Sequence, residues 1–274
     1  MPELPEVETI RRELAPYISG QDVIRCHVLR PDIIAYPDPD RFCEKLVHDT
    51  INTVERKAKY LIIKLTSGNR LIIHLRLSGT IFLKPRNTSP ERFTRLNITL
   101  KDYELFFNEP RVLGRAYLIQ KNSDKGIPKG LQSLGLEPID ADFTCEYLWG
   151  RIKGRKAKMK SVLLDQHICA GVGNIYSDEV LFSTGIRPTR RAYRVTRRET
   201  QDLVTALKEI LKKAIRKFGT SVGDYVRTDG TNGSFQDSLY VYQREGQPCR
   251  ICGTEIKALK IGNRSTRFCP KCQK

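Results

Sequence analysis

The sequence predicts an α+β protein with a β-rich N-terminal part, a helical middle part and a short metal-binding segment at its C-terminal end. Strand-like segments joined by tight turns fill most of residues 22–120, whereas apolar residues recur at helical spacing between about residues 143 and 217. Four cysteines lie in two close pairs after residue 248. With 274 residues, of which 39% are hydrophobic, the chain is long enough to bury a core and to divide into domains.

The β-rich part begins with a helix and continues with hairpins. Val7, Ile10 and Leu14 share one helical face directly after the Pro-Glu-Leu-Pro tip, which predicts a helix there. Two antiparallel hairpins are predicted where strand-like segments flank a short turn, at 60–66 with 70–77 and at 94–100 with 103–108. Several short strands at this spacing favour a sandwich or a barrel-like sheet over a doubly wound one.

The helical part follows a polar linker at residues 121–129. Helical spacing predicts four helices, at about 143–150, 155–166, 174–184 and 196–217. The glycine-containing segment 220–234 is expected to form a mobile loop, and residues 239–242 a strand that leads into the cysteines. These boundaries give three expected domains, at residues 1–125, 126–235 and 236–274.

The charge of the chain indicates a polyanionic partner. Lysine and arginine outnumber aspartate and glutamate by 48 to 31, which gives a formal net charge of +17. Between Arg151 and Lys160 there are six basic residues and no acidic one. Basic side chains close to phosphates release condensed counterions, so a nucleic acid is the expected partner. The alternative is a solvated, mutually repulsive lysine surface.

The sequence carries no signal for a membrane or for export. It holds no run of 18 or more apolar residues, so a membrane-spanning helix is excluded. The start of the chain, from Met1 to Glu6, lacks a basic stretch followed by an apolar one and resembles neither a secretory nor a transit signal. We expect a cytoplasmic, nucleoid-associated monomer that does not bind membranes.

The C-terminal cysteines have the spacing of a metal site. Cys249 with Cys252 and Cys269 with Cys272 form two Cys-x2-Cys pairs separated by sixteen residues. Without a secretory signal, such clustering favours a metal over disulfides. Four thiolates suit tetrahedral Zn²⁺ and leave no position open for water or substrate, so one structural zinc ion is expected, with an iron-bearing site or four free thiols as alternatives. The remaining cysteines are expected to be ordinary buried thiols: Cys26, Cys43, Cys145 and Cys169.

The N-terminal tip combines a potential amine nucleophile with carboxylates. If Met1 is removed, Pro2 carries a free secondary amine, and an α-amino group titrates near about 8 against about 10.4 for lysine, so more of it is unprotonated at neutral pH. Such an amine can attack a sugar carbon and form an iminium intermediate. Glu3 could transfer protons, and Glu6, one helical turn further on, could fix or tune the pair. The alternative is that these prolines and glutamates only start a helix.

Several stretches of the sequence closely resemble bacterial formamidopyrimidine-DNA glycosylases, also called 8-oxoguanine DNA glycosylases. They run in order through nearly the whole chain and end with the four cysteines: residues 1–9, 58–61, 74–79, 163–166, 170–179 and 240–242. The resemblance implies an N-terminal β-sandwich with flanking helices, followed by a helical helix–two-turn–helix domain with a zinc β-hairpin. It also implies that the partner is double-stranded DNA with oxidised bases or abasic sites, from which the damaged nucleotide is flipped out.

The resemblance assigns the catalytic roles to the tip and to one lysine. Pro2 is implied to attack the sugar C1′ and Glu3 to act as the acid/base, with Glu6 and Lys59 as further catalytic residues. After base release, the iminium acidifies a sugar proton, and β,δ-elimination nicks the strand on both sides of the lesion. The implied enzyme is a DNA-formamidopyrimidine glycosylase and abasic-site lyase acting on oxidised purines, namely 8-oxoguanine and formamidopyrimidines.

The resemblance also implies DNA contacts. Phosphate contacts are implied at three positions: His74, Lys160 and Asn174. Arg264 matches the arginine at the tip of the zinc hairpin, and Arg111 matches the arginine that enters the space left by the flipped base. Taken alone, a histidine inside an apolar strand is more often a buried core residue.

Two positions depart from the pattern of the family. Family members usually have a methionine wedge where this chain has Leu77 and a phenylalanine where it has Leu113, and residues 108–110 are also atypical. Leucine can fill a gap in the base stack, but it lacks an aromatic face, whose stacking on a base is worth about 1–3 kcal/mol. An endonuclease VIII-like glycosylase that prefers oxidised pyrimidines is therefore an alternative. A non-catalytic zinc DNA-binding protein is another, although it would have no use for Pro2 and Glu3.

Overall fold

The computed structural model describes residues 1–274, which divide into two compact units. The first unit contains Met1–Gln132 together with Lys217–Gln236, and the second contains Ser133–Arg216 together with Asp237–Lys274. The expected loop at 220–234 thus belongs to the same unit as the N-terminal residues. The three-domain division follows the order of the sequence, differs from this grouping, and stays a prediction.

The first unit is built from helices and two sheets. Its helices are α1 (Leu4–Ile18), α2 (Pro39–Leu46) and the short α3 (Lys129–Gln132). Its strands are β1 (Val23–Val28), β2 (Ile34–Tyr36), β3 (Ile51–Lys57), β4 (Tyr60–Leu65), β5 (Arg70–His74), β6 (Thr80–Pro85), β7 (Thr94–Leu100), β8 (Tyr103–Asn108) and β9 (Arg115–Ile119). One sheet has the order β1-β7-β8-β6 and the other β2-β9-β5-β4-β3, with β2 and β9 as the one parallel pair. The two predicted hairpins are confirmed as β4–β5 and β7–β8.

The two sheets share a single hydrophobic core with α1 and α2. Val7 and Leu14 of α1 are fully buried in one cluster with residues of both sheets, among them Ile63 and Ile98. This arrangement confirms the β-sandwich with flanking helices. The sequence pattern misses α2, because a helix of eight residues is too short to show a clear period. A local signal for it exists: Asp38 caps the helix, and its side chain accepts a hydrogen bond from the backbone N–H of Arg41.

The second unit holds the remaining helices and one hairpin. These elements are α4 (Cys145–Ile152), α5 (Met159–Leu164), α6 (Asn174–Ser183), α7 (Arg197–Arg216), β10 (Lys257–Ile261) and β11 (Arg264–Phe268). All four predicted helices are present, with ends shifted by a few residues. A reciprocal pair of hydrogen bonds between Thr196 and Glu199 starts α7, and its apolar side chains lie on one buried face. Every helix of the chain is too short or too polar to cross a lipid bilayer.

The predicted strand at 239–242 is wrong. The backbone N–H groups of Tyr240, Val241 and Tyr242 donate to the carboxylate of Glu179 at 2.8, 3.0 and 2.9 Å, instead of to a neighbouring strand. Glu179 lies on α6, and burial raises its pKa while the three N–H donors act against that rise. A single side chain therefore replaces the strand partner and fixes the segment that precedes the cysteines to α6.

Candidate functional site

Two buried carboxylates surround the start of α1. The backbone N–H of Glu3 donates to Oε2 of Glu6 at 2.8 Å, and the Glu3 side chain accepts a backbone hydrogen bond from the first turn in return. The other oxygen of Glu6, Oε1, accepts from the backbone N–H of Thr220 at 2.9 Å. Glu3 is 2% exposed and Glu6 is 1% exposed. Glu6 therefore joins the start of the chain to a segment more than 200 residues away and also accepts a hydrogen bond from Glu3.

The loop that follows is anchored on α1 at two places. Gly219 has a φ of +79°, and a Cβ there would lie 3.0 Å from Cγ of Glu6, so glycine permits the close approach. Further along, Nε of Arg227 and the backbone N–H of Thr228 donate to the carboxylate of Glu13 at 2.6 and 3.0 Å. Residues 220–234 contain no helix or strand of their own, and these contacts hold the first residue and the middle of the segment against α1.

The amino group at the start of the chain is placed where its neutral form is favoured. Burial lowers the pKa of the Met1 amino group, and Lys59 lowers it further, while the carboxylates of Glu3, Glu6 and Asp224 act in the opposite direction. The net shift is downward. An amine that loses its proton more readily is a better nucleophile at neutral pH.

Lys59 is held in the turn between β3 and β4. Its side chain is 93% removed from solvent, with 7% exposed. The guanidinium of Arg56 donates to the carbonyl of Ala58 at 3.1 Å and forms an ion pair with Glu8 of α1, also at 3.1 Å. Burial raises the pKa of Glu8, but hydrogen bonds from neighbouring arginines outweigh it and bring the pKa to about 2. This ion pair, of which the sequence gives no sign, ties the turn that carries Lys59 to α1, which begins directly after Glu3.

His74 ends β5 as a neutral, buried imidazole. Its ring lies edge-on to Tyr60 with centroids 4.5 Å apart, and its Nδ1 accepts a hydrogen bond from the backbone N–H of Arg76 at 3.0 Å. Burial, together with the charges of Arg76 and Lys59, lowers its pKa to about 3. With Nδ1 as an acceptor, the single proton of the neutral ring sits on Nε2, which leaves that nitrogen as a donor.

A buried carboxylate holds the two loops that carry Leu77 and Leu113. Glu109 follows β8 and is fully buried. It accepts hydrogen bonds from the hydroxyl of Ser78 and, at 2.8 Å, from the backbone N–H of Gly114. These two residues directly follow Leu77 and Leu113, whose side chains are 36% and 42% exposed. One carboxylate therefore positions both exposed leucines. The sequence signal that could have indicated this contact is an acidic residue directly after the apolar strand β8.

Arg111 lies in the second of these loops and forms an ion pair that can be exchanged for another contact. Its guanidinium forms an ion pair with Asp224 at 3.3 Å while 58% of its side chain is exposed. Exposed ion pairs contribute about 0–1 kcal/mol, so Arg111 can leave this partner for another polar group at little cost.

In the second unit a fully buried ion pair joins α5, α6 and β11. Nζ of Lys160 lies 2.6 Å from Oδ1 of Asp178, and both side chains are 0% exposed. Lys160 also donates to the carbonyl of Ser265 at 3.2 Å, and Asp178 accepts from the backbone N–H of Arg267 at 3.1 Å. Asn174, the first residue of α6, donates to the same Ser265 carbonyl at 3.1 Å. Lys160 thus has protein partners where a phosphate is expected, and these partners lie on α6 and on the hairpin.

The four C-terminal cysteines converge as expected. Their sulfur atoms all lie within 4.8 Å of one another, with 3.9 Å between Cys249 and Cys272 and 3.5 Å between Cys252 and Cys269. A tetrahedral zinc ion with Zn–S bonds of about 2.3 Å needs sulfur separations of about 3.8 Å, so the cluster fits one zinc ion. The β10–β11 hairpin lies between the two pairs, and Arg264 is exposed at the start of β11.

Comparison with known proteins covers both units. Three family models match in chain order: the formamidopyrimidine-DNA glycosylase N-terminal domain at residues 1–116, the H2TH domain of the same glycosylases at 134–225, and a zinc finger found in FPG and IleRS at 246–274. A formamidopyrimidine-DNA glycosylase of an Exiguobacterium species is 41% identical over 275 residues, which cover 100% of this chain and 99% of the relative.

Two solved structures of the Lactococcus lactis FPG match the fold over 100% of both chains at 35% identity. One is a mutant in complex with DNA that contains Fapy-dG, with a TM-score of 0.92, and the other is the wild-type protein with DNA that contains an oxidised pyrimidine, with a TM-score of 0.91. Together with the family models, these structures confirm the resemblance drawn from the sequence motifs and the expected fold.

Proposed function

The chain belongs to the formamidopyrimidine-DNA glycosylase family, and on this premise we propose that it excises oxidised purines from duplex DNA and then nicks the strand by β,δ-elimination. The proposed substrates are 8-oxoguanine, formamidopyrimidines and abasic sites. The observation that carries the proposal is the half-buried amino group at the start of the chain, which lies within electrostatic reach of Glu3, Glu6 and Lys59. DNA binding alone would not need an amine with a lowered pKa between carboxylates.

Pro2 is the proposed nucleophile once Met1 has been removed. Pro2 is buried, so the desolvation that lowers the pKa of the Met1 amine should act on its secondary amine in the same direction. The nitrogen lone pair forms a bond to C1′ while the bond from C1′ to the damaged base breaks, and the base leaves with the bonding electrons and takes up the proton that the amine gives up. Glu3 supplies the proton that opens the sugar ring, and the product is an iminium, the Schiff-base intermediate.

Glu6 and Lys59 support these steps in different ways. Glu6 holds the backbone of Glu3, and through Thr220 it holds the loop beside it. The ammonium of Lys59 is proposed to bind a phosphate beside the lesion. The positive iminium acidifies a proton on C2′, so loss of this proton expels one phosphate, and a second elimination expels the other.

The DNA backbone is proposed to contact residues of both units. His74 would donate its Nε2–H to a phosphate, Asn174 would do so from the N-terminal end of α6, and Arg264 would do so from the hairpin. For Lys160 we propose an indirect contribution, in which its ion pair with Asp178 holds the hairpin in place. The nucleoid is the proposed place of action.

The lesion is proposed to be replaced in the stack by Leu77 and Arg111. Leu77 would act as the apolar wedge, and Arg111 would leave Asp224 to contact the base opposite the lesion. Oxidised pyrimidines are a second candidate substrate class, because the Lactococcus lactis FPG has been solved with DNA that contains one.

Borohydride trapping tests the proposal. The full chain is incubated with duplexes that carry 8-oxoguanine, 5-hydroxyuracil or an abasic site, and borohydride reduces any imine to a stable protein–DNA adduct. We expect adducts with 8-oxoguanine and with the abasic site. Preferential trapping on 5-hydroxyuracil would favour oxidised pyrimidines, and no adduct on any duplex would leave a non-catalytic binding protein.

A substitution tests the assigned nucleophile. Pro2→Gly should greatly slow base release, whereas Pro5→Ala, which changes the same tip but keeps the amine, should be close to the parent. Mass spectrometry of the active protein should show that Met1 is absent. A fully active Pro2→Gly variant, or fully active protein that retains Met1, would contradict the assignment.

A further inference from the structure

Two cysteines outside the metal cluster lie against each other in the first unit. The sulfur atoms of Cys26 on β1 and Cys43 on α2 are 2.6 Å apart. A disulfide bond is about 2.05 Å long and requires its two backbones to be close and suitably oriented. The packing of α2 against β1 therefore already brings the two thiols together. Their positions in the sequence, 17 residues apart, gave no sign of this contact.

We propose that Cys26 and Cys43 form a reversible disulfide when the protein meets hydroperoxides. Both thiols are half-buried, so a small oxidant can reach them, whereas Cys145 and Cys169 are buried. The disulfide would link α2 to β1, an edge strand that is hydrogen-bonded only to β7 within its sheet. The proposal does not depend on glycosylase activity.

The oxidation balances with one molecule of hydrogen peroxide. The thiolate of Cys43 attacks one peroxide oxygen, the O–O bond breaks, and hydroxide leaves and takes up a proton, which gives a sulfenic acid and water. The sulfur of Cys26 then loses its proton and attacks the sulfur of Cys43, and the S–O bond breaks as a second water leaves. Two thiols lose two electrons, and the peroxide accepts them.

The environment of the pair supports this order of steps. Contact with Cys26 lowers the pKa of the Cys43 thiol, and the same contact raises the pKa of the Cys26 thiol. Cys43 is therefore the better source of the first thiolate, and Cys26 is in contact with the sulfur that it must attack.

The disulfide should make the first unit harder to unfold. Closing a loop of this length removes conformational freedom from the unfolded chain and should raise the Tm by on the order of 5–10 °C. The same mechanism predicts that the rise disappears on reduction.

Peptide mapping tests the site. The full-length, zinc-loaded protein is treated with increasing hydrogen peroxide, alkylated and digested, and a chromogenic chelator reports released zinc. We expect a peptide pair joined through Cys26 and Cys43, lighter by two hydrogen atoms than the separate peptides, before zinc is released. Dithiothreitol should separate the pair and return the Tm to its starting value. Cys43→Ser and Cys26→Ser should abolish both the link and the rise in Tm, and Cys145→Ser should keep both.

The proposal is overturned if Cys26 and Cys43 still react with the alkylating agent at the peroxide dose that begins to release zinc. It is also overturned if the linked protein melts at the same temperature as the reduced protein, because the bond would then not constrain α2 and β1.

Discussion

Replacing Lys160 by methionine distinguishes a residue that positions the hairpin from one that touches DNA. The change removes the ammonium from an ion pair whose two side chains are fully buried. The Asp178 carboxylate keeps its hydrogen bond from the backbone N–H of Arg267 but loses the positive charge of Lys160. Removing one member of a buried ion pair destabilises a protein by about 3–5 kcal/mol, since the other charge stays buried and unpaired. We expect the free energy of unfolding to fall by about that amount above neutral pH.

The loss should depend on pH with a defined sign. Burial raises the pKa of Asp178 to about 7, although Lys160 acts to lower it, so the Lys160→Met variant should have a still higher value. Between the unfolded pKa, about 3.9, and this raised folded pKa, the folded chain binds more protons than the unfolded chain. Stability then falls by up to about 1.4 kcal/mol for each pH unit of increase. For the parent this fall ends near pH 7, and for the variant it continues to higher pH.

Urea unfolding at about pH 7 and about pH 8 measures the difference. A double variant, Lys160→Met with Asp178→Asn, removes both charges and should recover much of the lost stability. Like the parent, it should show a free energy of unfolding that no longer falls because of residue 178 above pH 7. A Lys160→Met protein as stable as the parent at both pH values would refute the reasoning about the buried pair.

The salt dependence of DNA binding separates the two roles. If Lys160 only holds the hairpin, Lys160→Met should weaken binding because a smaller fraction of the protein has the hairpin in place. The slope of log K against log salt concentration should not change, because the bound state keeps the same phosphate contacts. Arg264→Met is the matched control and should reduce the slope by about 1. A reduction of the slope by about 1 for Lys160→Met would show instead that Lys160 contacts a phosphate, as the resemblance implies.

Glu109→Gln should lower the free energy of unfolding by about 1–3 kcal/mol, because an NH₂ group replaces one of the two side-chain oxygens that accept from buried donors. It should also slow base excision more than cleavage at an abasic site; equal slowing in single-turnover assays would contradict a role in the wedge loops. Leu113→Phe adds an aromatic face worth about 1–3 kcal/mol of stacking, so fluorescence anisotropy should show about 5- to 150-fold tighter binding to a lesion duplex. Unchanged affinity would mean that this side chain does not stack. Chelation of zinc should weaken DNA binding and unfold the hairpin, while the first unit, which contains none of the four cysteines, should keep its near-ultraviolet circular dichroism.

The sequence was most informative where the signal is local. The helical face of α1, the hairpins β4–β5 and β7–β8, and the two cysteine pairs could all be predicted, because period and spacing report on neighbours within a few residues. The partners of buried polar groups could not. The contact of Glu6 with Thr220 and that of Cys26 with Cys43 depend on how distant elements pack, and the sequence carries no periodic trace of either.

Buried carboxylates explain how the chain can tolerate leucine at positions 77 and 113. Glu6, Glu109 and Glu179 each accept backbone N–H groups of an irregular segment, so a side chain supplies the hydrogen bonds that a helix or strand would otherwise give. The shape of such a loop is set by the acceptor and not by the apolar side chain at its tip. Leu77 and Leu113 can therefore stand where the family usually has other residues without moving the backbone that presents them, and a change of wedge should alter the contact with the base stack but not its position.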